Sequence, residues 1–197
     1  MAPQGTFQLE VSDNPKLVDL KGLEAIVHAT GVQIVNNDSL KDLSGLDGLE
    51  ETTAKFVIQG NEDLQVLQGL EKLEQVYYLA IHDNPKLLAL SGLGGLTTAT
   101  LGLSIGYCAD GGNNSLSNLH GLDSIETIGG LSVDNNANLT SLMGLEPLTS
   151  LTSLFVRNNP GVSSVEAKAL ATKFKAAPTI CNNAGPPEEC PCIPWME

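Results

Sequence analysis

An asparagine returns along this chain at a nearly constant interval. Asn14, Asn37, Asn61, Asn84, Asn113, Asn136 and Asn159 are separated by steps of 23, 24, 23, 29, 23 and 23 residues. Other residue types keep register with it. Five and three residues before the Asn stand apolar pairs: Leu9/Val11, Val32/Ile34, Phe56/Ile58, Leu79/Ile81, Leu131/Val133 and Leu154/Val156. Three residues after it come Leu17, Leu40, Leu64, Leu87, Leu116, Leu139 and Val162, and six after it Leu20, Leu43, Leu67, Leu90, Leu119, Leu142 and Val165. A Gly-Leu pair follows at eight and nine, from Gly22-Leu23 to Gly144-Leu145, with a further apolar residue at twelve, from Ile26 to Leu148. Self-similarity at a period of this length means a stack of like units rather than one globular core.

Each position in the unit has a physical reading. The alternating pair before the Asn reads as a short strand with one buried face. The Asn side chain can hydrogen-bond backbone groups in a turn, and stacked copies would form a ladder between coils. A Leu at every third residue suits a chain that bends once per three residues and returns one side chain inward each time. The Gly marks a tight bend or a close backbone approach. A single coil cannot bury its own apolar side, so the coils must stack and their strands must line up as a parallel sheet. The expected fold is a repeat solenoid of seven leucine-rich turns over residues 7–162, preceded by a disordered leader at 1–6 and closed by a cap over 163–197.

Two turns depart from the pattern. In the fifth, the strand is Leu103-Ser104-Ile105, Cys108 falls where the Asn is due, and Asn113 resumes the register after five extra residues. The polar, Gly-rich stretch Ala109-Asp110-Gly111-Gly112 reads as a looped-out insertion, of the kind that is tolerated in solenoids and sometimes carries function. In the seventh, Ala167 and Lys168 replace Gly-Leu. The stretch from Ser163 to Phe174 reads as an N-capped amphipathic helix that lays Val165, Ala169/Leu170 and Phe174 over the last coil. The first coil has no such cover, and an open solenoid end is an exposed sheet edge. Self-association through that end, or further sequence before it, is expected.

Composition narrows the function. The net charge is −13, with no basic patch to neutralise phosphates, which argues against nucleic acid and against anionic membrane surfaces. No stretch approaches the ~20 apolar residues of a membrane span. The start, Met1-Ala2-Pro3-Gln4-Gly5-Thr6, lacks the basic and apolar regions of a signal peptide, so the chain reads as cytoplasmic or as a mature domain without its leader. Cysteine use favours the second reading. Cys181, Cys190 and Cys192 crowd a Pro-rich tail while Cys108 stands apart, which suggests a disulfide-tied cap and an oxidising compartment. A metal site there lacks a second paired Cys or a nearby His.

Catalytic readings fare poorly. His28, His82 and His120 share no column, which weakens any metal site. Cys108 has no local nucleophile signature and reads as a buried substitute in the Asn ladder or as a disulfide partner. Asp13, Asp38, Asp63 and Asp83 sit one coil apart rather than within one loop, unlike a calcium site, and read as turn caps. A β-helix carbohydrate-cleaving enzyme would need convergent carboxylates on the outer strand face. The outward columns are instead Glu10, Gln33, Val57, Ala80, Ser104, Ser132, Phe155 and Ser12, Val35, Gln59, His82, Gly106, Asp134, Arg157. Asp134 and Arg157 share a column in adjacent turns and read as a simple surface ion pair of at most about 1 kcal/mol. The columns carry no Thr ladder of the sort that orders ice. No enzyme activity and no cofactor are expected.

Segments such as Leu79-Ala-Ile81-His-Asp-Asn84-Pro-Lys-Leu87-Leu-Ala-Leu90-Ser-Gly92-Leu93, and the run from Asn159-Pro-Gly-Val162 through a helix to Cys181-Asn-Asn, resemble the receptor L-domain. That is the leucine-rich, right-handed single-stranded β-helix of insulin- and EGF-type receptors. The C-terminal end is also similar to secreted bacterial L-domain-like proteins, including myxobacterial lipoproteins. The resemblance spans about residues 7–190. It implies a right-handed β-helix with a helical, Cys-containing cap, an extracytoplasmic setting and a role in recognition or adhesion. The receptors' Cys-rich modules and kinase have no counterpart here, so their signalling is not implied, and no lipobox cysteine stands near the start.

The expected function is therefore a non-catalytic, secreted or cell-surface module that binds a protein or glycan. The alternatives are a structural or adhesive spacer and, more distantly, a β-helix carbohydrate-active enzyme. The low-charge stripe Val35, Val57, Gln59, Ala80, His82 and Ser104, with Phe155 and Arg157 at its C-terminal end, is the expected binding face, because charge is depleted at the cores of contacts. The rival reading is that small residues simply suit a tight parallel sheet. The tail yields a test. At least one disulfide is expected in the cap, with Cys181 joined to Cys190 or Cys192, since Cys190 and Cys192 are too close in sequence for unstrained bridge geometry. Mass mapping of the non-reduced protein should find it; four thiols after aerobic purification would remove the argument for an oxidising compartment.

Overall fold

The computed structural model describes residues 7–108 and 111–184, so the leader at 1–6, Ala109, Asp110, Cys190 and Cys192 lie outside the described residues. The chain forms a parallel-strand β-solenoid. Its strands are β1 (Gln8–Ser12), β2 (His28–Ala29), β3 (Gly31–Val35), β4 (Glu51–Gln59), β5 (Gln75–His82), β6 (Thr98–Ile105), β7 (Thr127–Asp134) and β8 (Ser150–Arg157). Helix α1 (Ser164–Phe174) and strand β9 (Ala177–Cys181) follow. One sheet runs in the order β1-β3-β4-β5-β6-β7-β8-β9, with β2 pairing β4, and every pairing is parallel. The register is one coil per strand: Ile34 lies beside Ile58, Ile58 beside Ile81, Ile81 beside Ile105 and Ile105 beside Val133.

The asparagine column is a continuous buried ladder. Asn61 is typical. Its backbone N–H donates to Asn84 Oδ1 at 3.1 Å, while its own Oδ1 accepts from the Asn37 N–H at 3.0 Å. Its Nδ2 donates to the Ile34 carbonyl in the preceding coil at 3.0 Å and to the Gln59 carbonyl in its own at 3.1 Å. The same set repeats at Asn84, Asn136 and Asn159. The amide side chain is well matched to this place because it alone offers two donors and an acceptor on one planar group.

The ladder dictates the residues around it. At every rung but Asn113 the residue before the Asn is in the left-handed region: Asp13, Asn36, Gly60, Asp83, Asn135, Asn158 and Asn182 have φ of 59°, 54°, 65°, 58°, 56°, 56° and 52°. Asp, Asn and Gly are the residues that tolerate it. After the Asn the chain bends every three residues, with Leu40 N–H on the Asn37 carbonyl, Leu46 on Leu43 and Leu49 on Leu46. That sets the leucine interval, and Leu40, Leu43, Leu46 and Leu49 are all fully buried. At the bend, Gly45 holds φ +115°, and a Cβ there would stand 2.2 Å from the Leu20 carbonyl oxygen of the coil below.

The structure corrects the sequence reading in three places. Strands β4 to β8 are eight or nine residues long, longer than the short strands expected from the alternating pairs, with register shifts in β4, β5 and β6. Their first halves bury a column the repeat pattern did not reveal: Thr52, Val76, Ala99, Ile128 and Leu151. Helix α1 is capped by Ser163, whose side chain accepts from Val165 N–H. It packs through Ala167 and Ala171, with Leu170 and Phe174 partly buried, whereas Val165 is 76% exposed and Ala169 faces solvent. Small side chains win because the helix lies close on the last coil, where Glu166 accepts from Leu142 N–H at 2.8 Å and Lys173 Nζ donates to the Leu148 carbonyl at 3.1 Å. After the helix the chain re-enters the sheet as β9, and Asn183 adds a further rung, accepting from Asn159 N–H at 3.1 Å and donating to the Val156 carbonyl at 2.6 Å.

The fifth turn keeps its ladder through Asn113, which accepts from Asn84 N–H at 3.3 Å, so Cys108 is not a substitute rung. Gly111 accepts from Asp83 N–H at 2.8 Å, which ties the far side of the insertion back to the fourth coil. The ladder makes a stability prediction. Asn61→Ala strips partners from one N–H and two carbonyls in a dry turn and should cost about 1–3 kcal/mol. Asn14→Ala, at the exposed end of the column, should stay within about 0.5 kcal/mol, as at ordinary surface sites. Denaturant melts giving the two variants equal losses would contradict the buried ladder.

Candidate functional site

The outward strand face splits into two halves of different character. The alternation of the sheet points one column of residues up from each pair of neighbouring strands, and the register places Gln33, Val57, Ala80, Ser104, Ser132 and Phe155 in line across β3 to β8. Val35, Gln59 and His82 form the next column, continued toward the C-terminus by Asp134 and Arg157.

The N-terminal half carries a groove of about 890 Å³. Val35, Val57 and Ala80 line it together with Gln33, Gln59, His82 and Tyr107. The His82 and Tyr107 rings are 5.7 Å apart and tilted by 33°. Lys55 Nζ lies 5.8 Å over the Tyr78 ring. Of the expected face, Val35, Val57, Gln59, His82 and Phe155 are half-buried, but Ala80 and Ser104 are only 4% and 6% exposed and form its base rather than its surface. Burial raises the Tyr78 phenol above its ordinary value, against a hydrogen bond with Ser104 that lowers it. Burial likewise pushes His82 below the usual imidazole value, so at neutral pH the ring is uncharged and offers one donor and one acceptor.

Tyr78, Lys55 and Tyr107 belong to this groove and were invisible to the repeat pattern. The register shift between Val76 and Tyr78 breaks strict alternation just where the doublet Tyr77-Tyr78 stands. Tyr107 sits beyond the end of β6, in the turn that the insertion reshapes. The doublet itself was the available signal: with 4% aromatics in the chain, adjacent tyrosines beside a strand of the neutral face were worth marking.

The C-terminal half overturns the expected surface ion pair. Arg157 is 2% exposed and Asp134 1%. Arg157 Nε donates to Asp134 Oδ1 at 2.6 Å and its second terminal nitrogen to Oδ2 at 2.9 Å, a two-pronged pair. The Ser132 hydroxyl also donates to the Asp134 carboxylate, and the Arg157 guanidinium lies 5.2 Å from the centre of the Phe155 ring. Burial raises the Asp134 carboxyl, opposed by the hydrogen bonds from Arg157 and Ser132. Arg157 is therefore a structural tie between two coils, not an exposed contact.

The remaining candidates scatter. His28 stands 3.8 Å from Glu51 and His120 3.0 Å from Asp123, both at exposed positions on separate coils. Among the described residues no three His, Cys, Asp or Glu side chains gather as metal ligands, and no helix is long and apolar enough to cross a membrane. Cys108 and Cys181 are buried and are both disulfide-bonded. Comparison with family models, with curated proteins and with solved structures gave no match to the chain.

The buried pair makes a prediction that separates it from a surface one. Asp134→Ala leaves the Arg157 guanidinium buried without its counter-charge and should cost about 3–5 kcal/mol. Thermal or denaturant unfolding showing a loss within about 1 kcal/mol, the range of exposed pairs, would return the pair to the surface.

Proposed function

We propose that the protein is a non-catalytic recognition module, secreted or held at a cell surface, that binds its ligand in the groove on the outer strand face. The observation that carries this reading is the groove's charge. The protein has a net charge of −13, yet Val35, Val57, Gln59, Ala80, Ser104 and Tyr107 line the groove without a formal charge, and Lys55 and Asp83 are its two charged lining residues, opposite in sign. A concave, partly apolar cleft with a few convergent polar groups is the usual form of a ligand site. Neutral lining on an acidic protein marks a surface kept clear of the repulsion that disfavours contact elsewhere. The L-domain resemblance of the sequence and the oxidised Cys108 and Cys181 support an extracytoplasmic setting.

The N-terminal end offers a second contact of a different kind. Strand β1 pairs only with β3 among the described residues, and Leu9, Val11, Leu17, Leu23 and Ile26 are only partly buried there. An edge strand over an incompletely covered core is a place where another coil or a second copy of the chain would pack.

The groove reading is tested by charge. Gln59→Glu combined with His82→Glu places two carboxylates on half-buried positions whose backbone, not side chain, serves the sheet. Thermal stability should change little, while capture of a partner from the native surface should fall strongly relative to the unaltered protein. If the double variant captures its partner normally while folded variants at Ala109 and Asp110, in the Ala109–Gly112 stretch, abolish capture, the contact belongs to the insertion and not to the strand face.

A further inference from the structure

Three features limit what the groove can hold. First, its floor is the face of a sheet whose strands are paired through β3, β4, β5 and β6, so backbone N–H and C=O groups there are already committed to neighbouring strands. An extended peptide gains affinity by adding to a sheet edge, and this site offers none. Second, the lining disfavours ionic ligands, because its two charged side chains, Lys55 and Asp83, are opposite in sign. A polyanion meets a protein of net charge −13, and a polycation finds one carboxylate, Asp83, among the lining residues. Third, the uncharged polar groups that line it are side-chain amides, hydroxyls and the His82 ring, all able to donate and accept. Gln33 and Gln59 carry side-chain amides, each able to donate and accept at once, and His82 in its uncharged form does the same. Hydroxyl groups are the ligand chemistry that also donates and accepts at each atom. An amide can span two adjacent hydroxyls in the way it spans a base edge. The Tyr107 ring, set against His82 and half-buried, supplies an apolar face of the kind that packs against the C–H side of a pyranose.

We infer that the groove binds a neutral oligosaccharide, with hydroxyls on the Gln33 and Gln59 amides and a C–H face against the Tyr107 ring. The inference rests on the strand-face reading above and narrows its ligand. The lining runs from Gln8 of β1 to Ser104 of β6, which suits a chain that crosses several strands better than a monosaccharide. Affinity from such contacts is insensitive to salt, since no ion pair is made.

The full chain would be screened on arrays of neutral oligosaccharides, acidic oligosaccharides of matched length and uncharged peptides, with titration calorimetry on each hit. The variants are Gln59→Ala, Gln33→Ala and Tyr107→Ala. Circular dichroism confirms their folding, and the two glutamine variants keep the test alive if Tyr107→Ala disturbs the turn. The expected result is binding of neutral oligosaccharides, unchanged by added salt and weakened about tenfold or more by each glutamine variant, the equivalent of one lost hydrogen bond to a desolvated partner. Binding of a peptide or an acidic glycan that is lost in Gln59→Ala would overturn the saccharide assignment and leave the strand face standing. Neutral oligosaccharides bound equally well by all variants, or no binding by any ligand set, would overturn both.

Discussion

Everything in this molecule hangs from one buried side-chain amide per coil. In a sheet the strands satisfy each other's backbone groups, but at the turn that ends each strand a backbone N–H and two carbonyls are left in a place closed to water. Leaving such groups unpaired costs on the order of 1–3 kcal/mol each. Asn61 settles all of them at once, and it does so by reaching into the coils on both sides. Each rung is therefore both a turn and a cross-tie. A chain that commits to one such rung is committed to the next, which is why the interval is so strictly kept.

The acidic charge also follows from this geometry. At five of the six glycine bends, Gly92 being the exception, a carboxylate two residues later accepts from the glycine N–H. The pairs are Gly22 with Glu24, Gly45 with Asp47, Gly69 with Glu71, Gly121 with Asp123 and Gly144 with Glu146. The backbone hydrogen bonds hold Glu24 and Asp123 below the usual carboxylate range. Five of the chain's acids thus sit in one stacked column for structural reasons. A high net charge in such a protein is in part a record of its bends and not of its partner. The N-terminal half of the strand face carries no such bend, and Lys55 and Asp83 are the charged side chains among its groove residues.

Much of the architecture could be read before any coordinates, because a period repeated at fixed offsets averages out local ambiguity. The Asn, Leu and Gly columns each have one physical job and nearly one residue type. What escaped was whatever lacked a constant residue. The inward column of Thr52, Val76, Ala99, Ile128 and Leu151 varies because it only needs to fill space, so no letter announced it. The further rung at Asn183 was hidden because a helix replaces the leucine bends before it. The groove residues Lys55, Tyr78 and Tyr107 lie where bulges and an insertion break the alternation that sequence reading relies on. Asp134 and Arg157 were placed correctly side by side, but their burial depends on what lies above the sheet, and a one-dimensional pattern carries no information about that.

The ladder can be examined directly by amide hydrogen exchange. Backbone N–H groups of Asn37, Asn61, Asn84, Asn113, Asn136 and Asn159 all donate to the next rung. They lie in turns, where exchange is ordinarily fast. If the amide column is what holds the coils together, these protons should exchange only through global opening, as slowly as those of the central strands. Exchange of the interior rungs at the rate of an ordinary surface turn would show that the strands and leucines hold the stack without them.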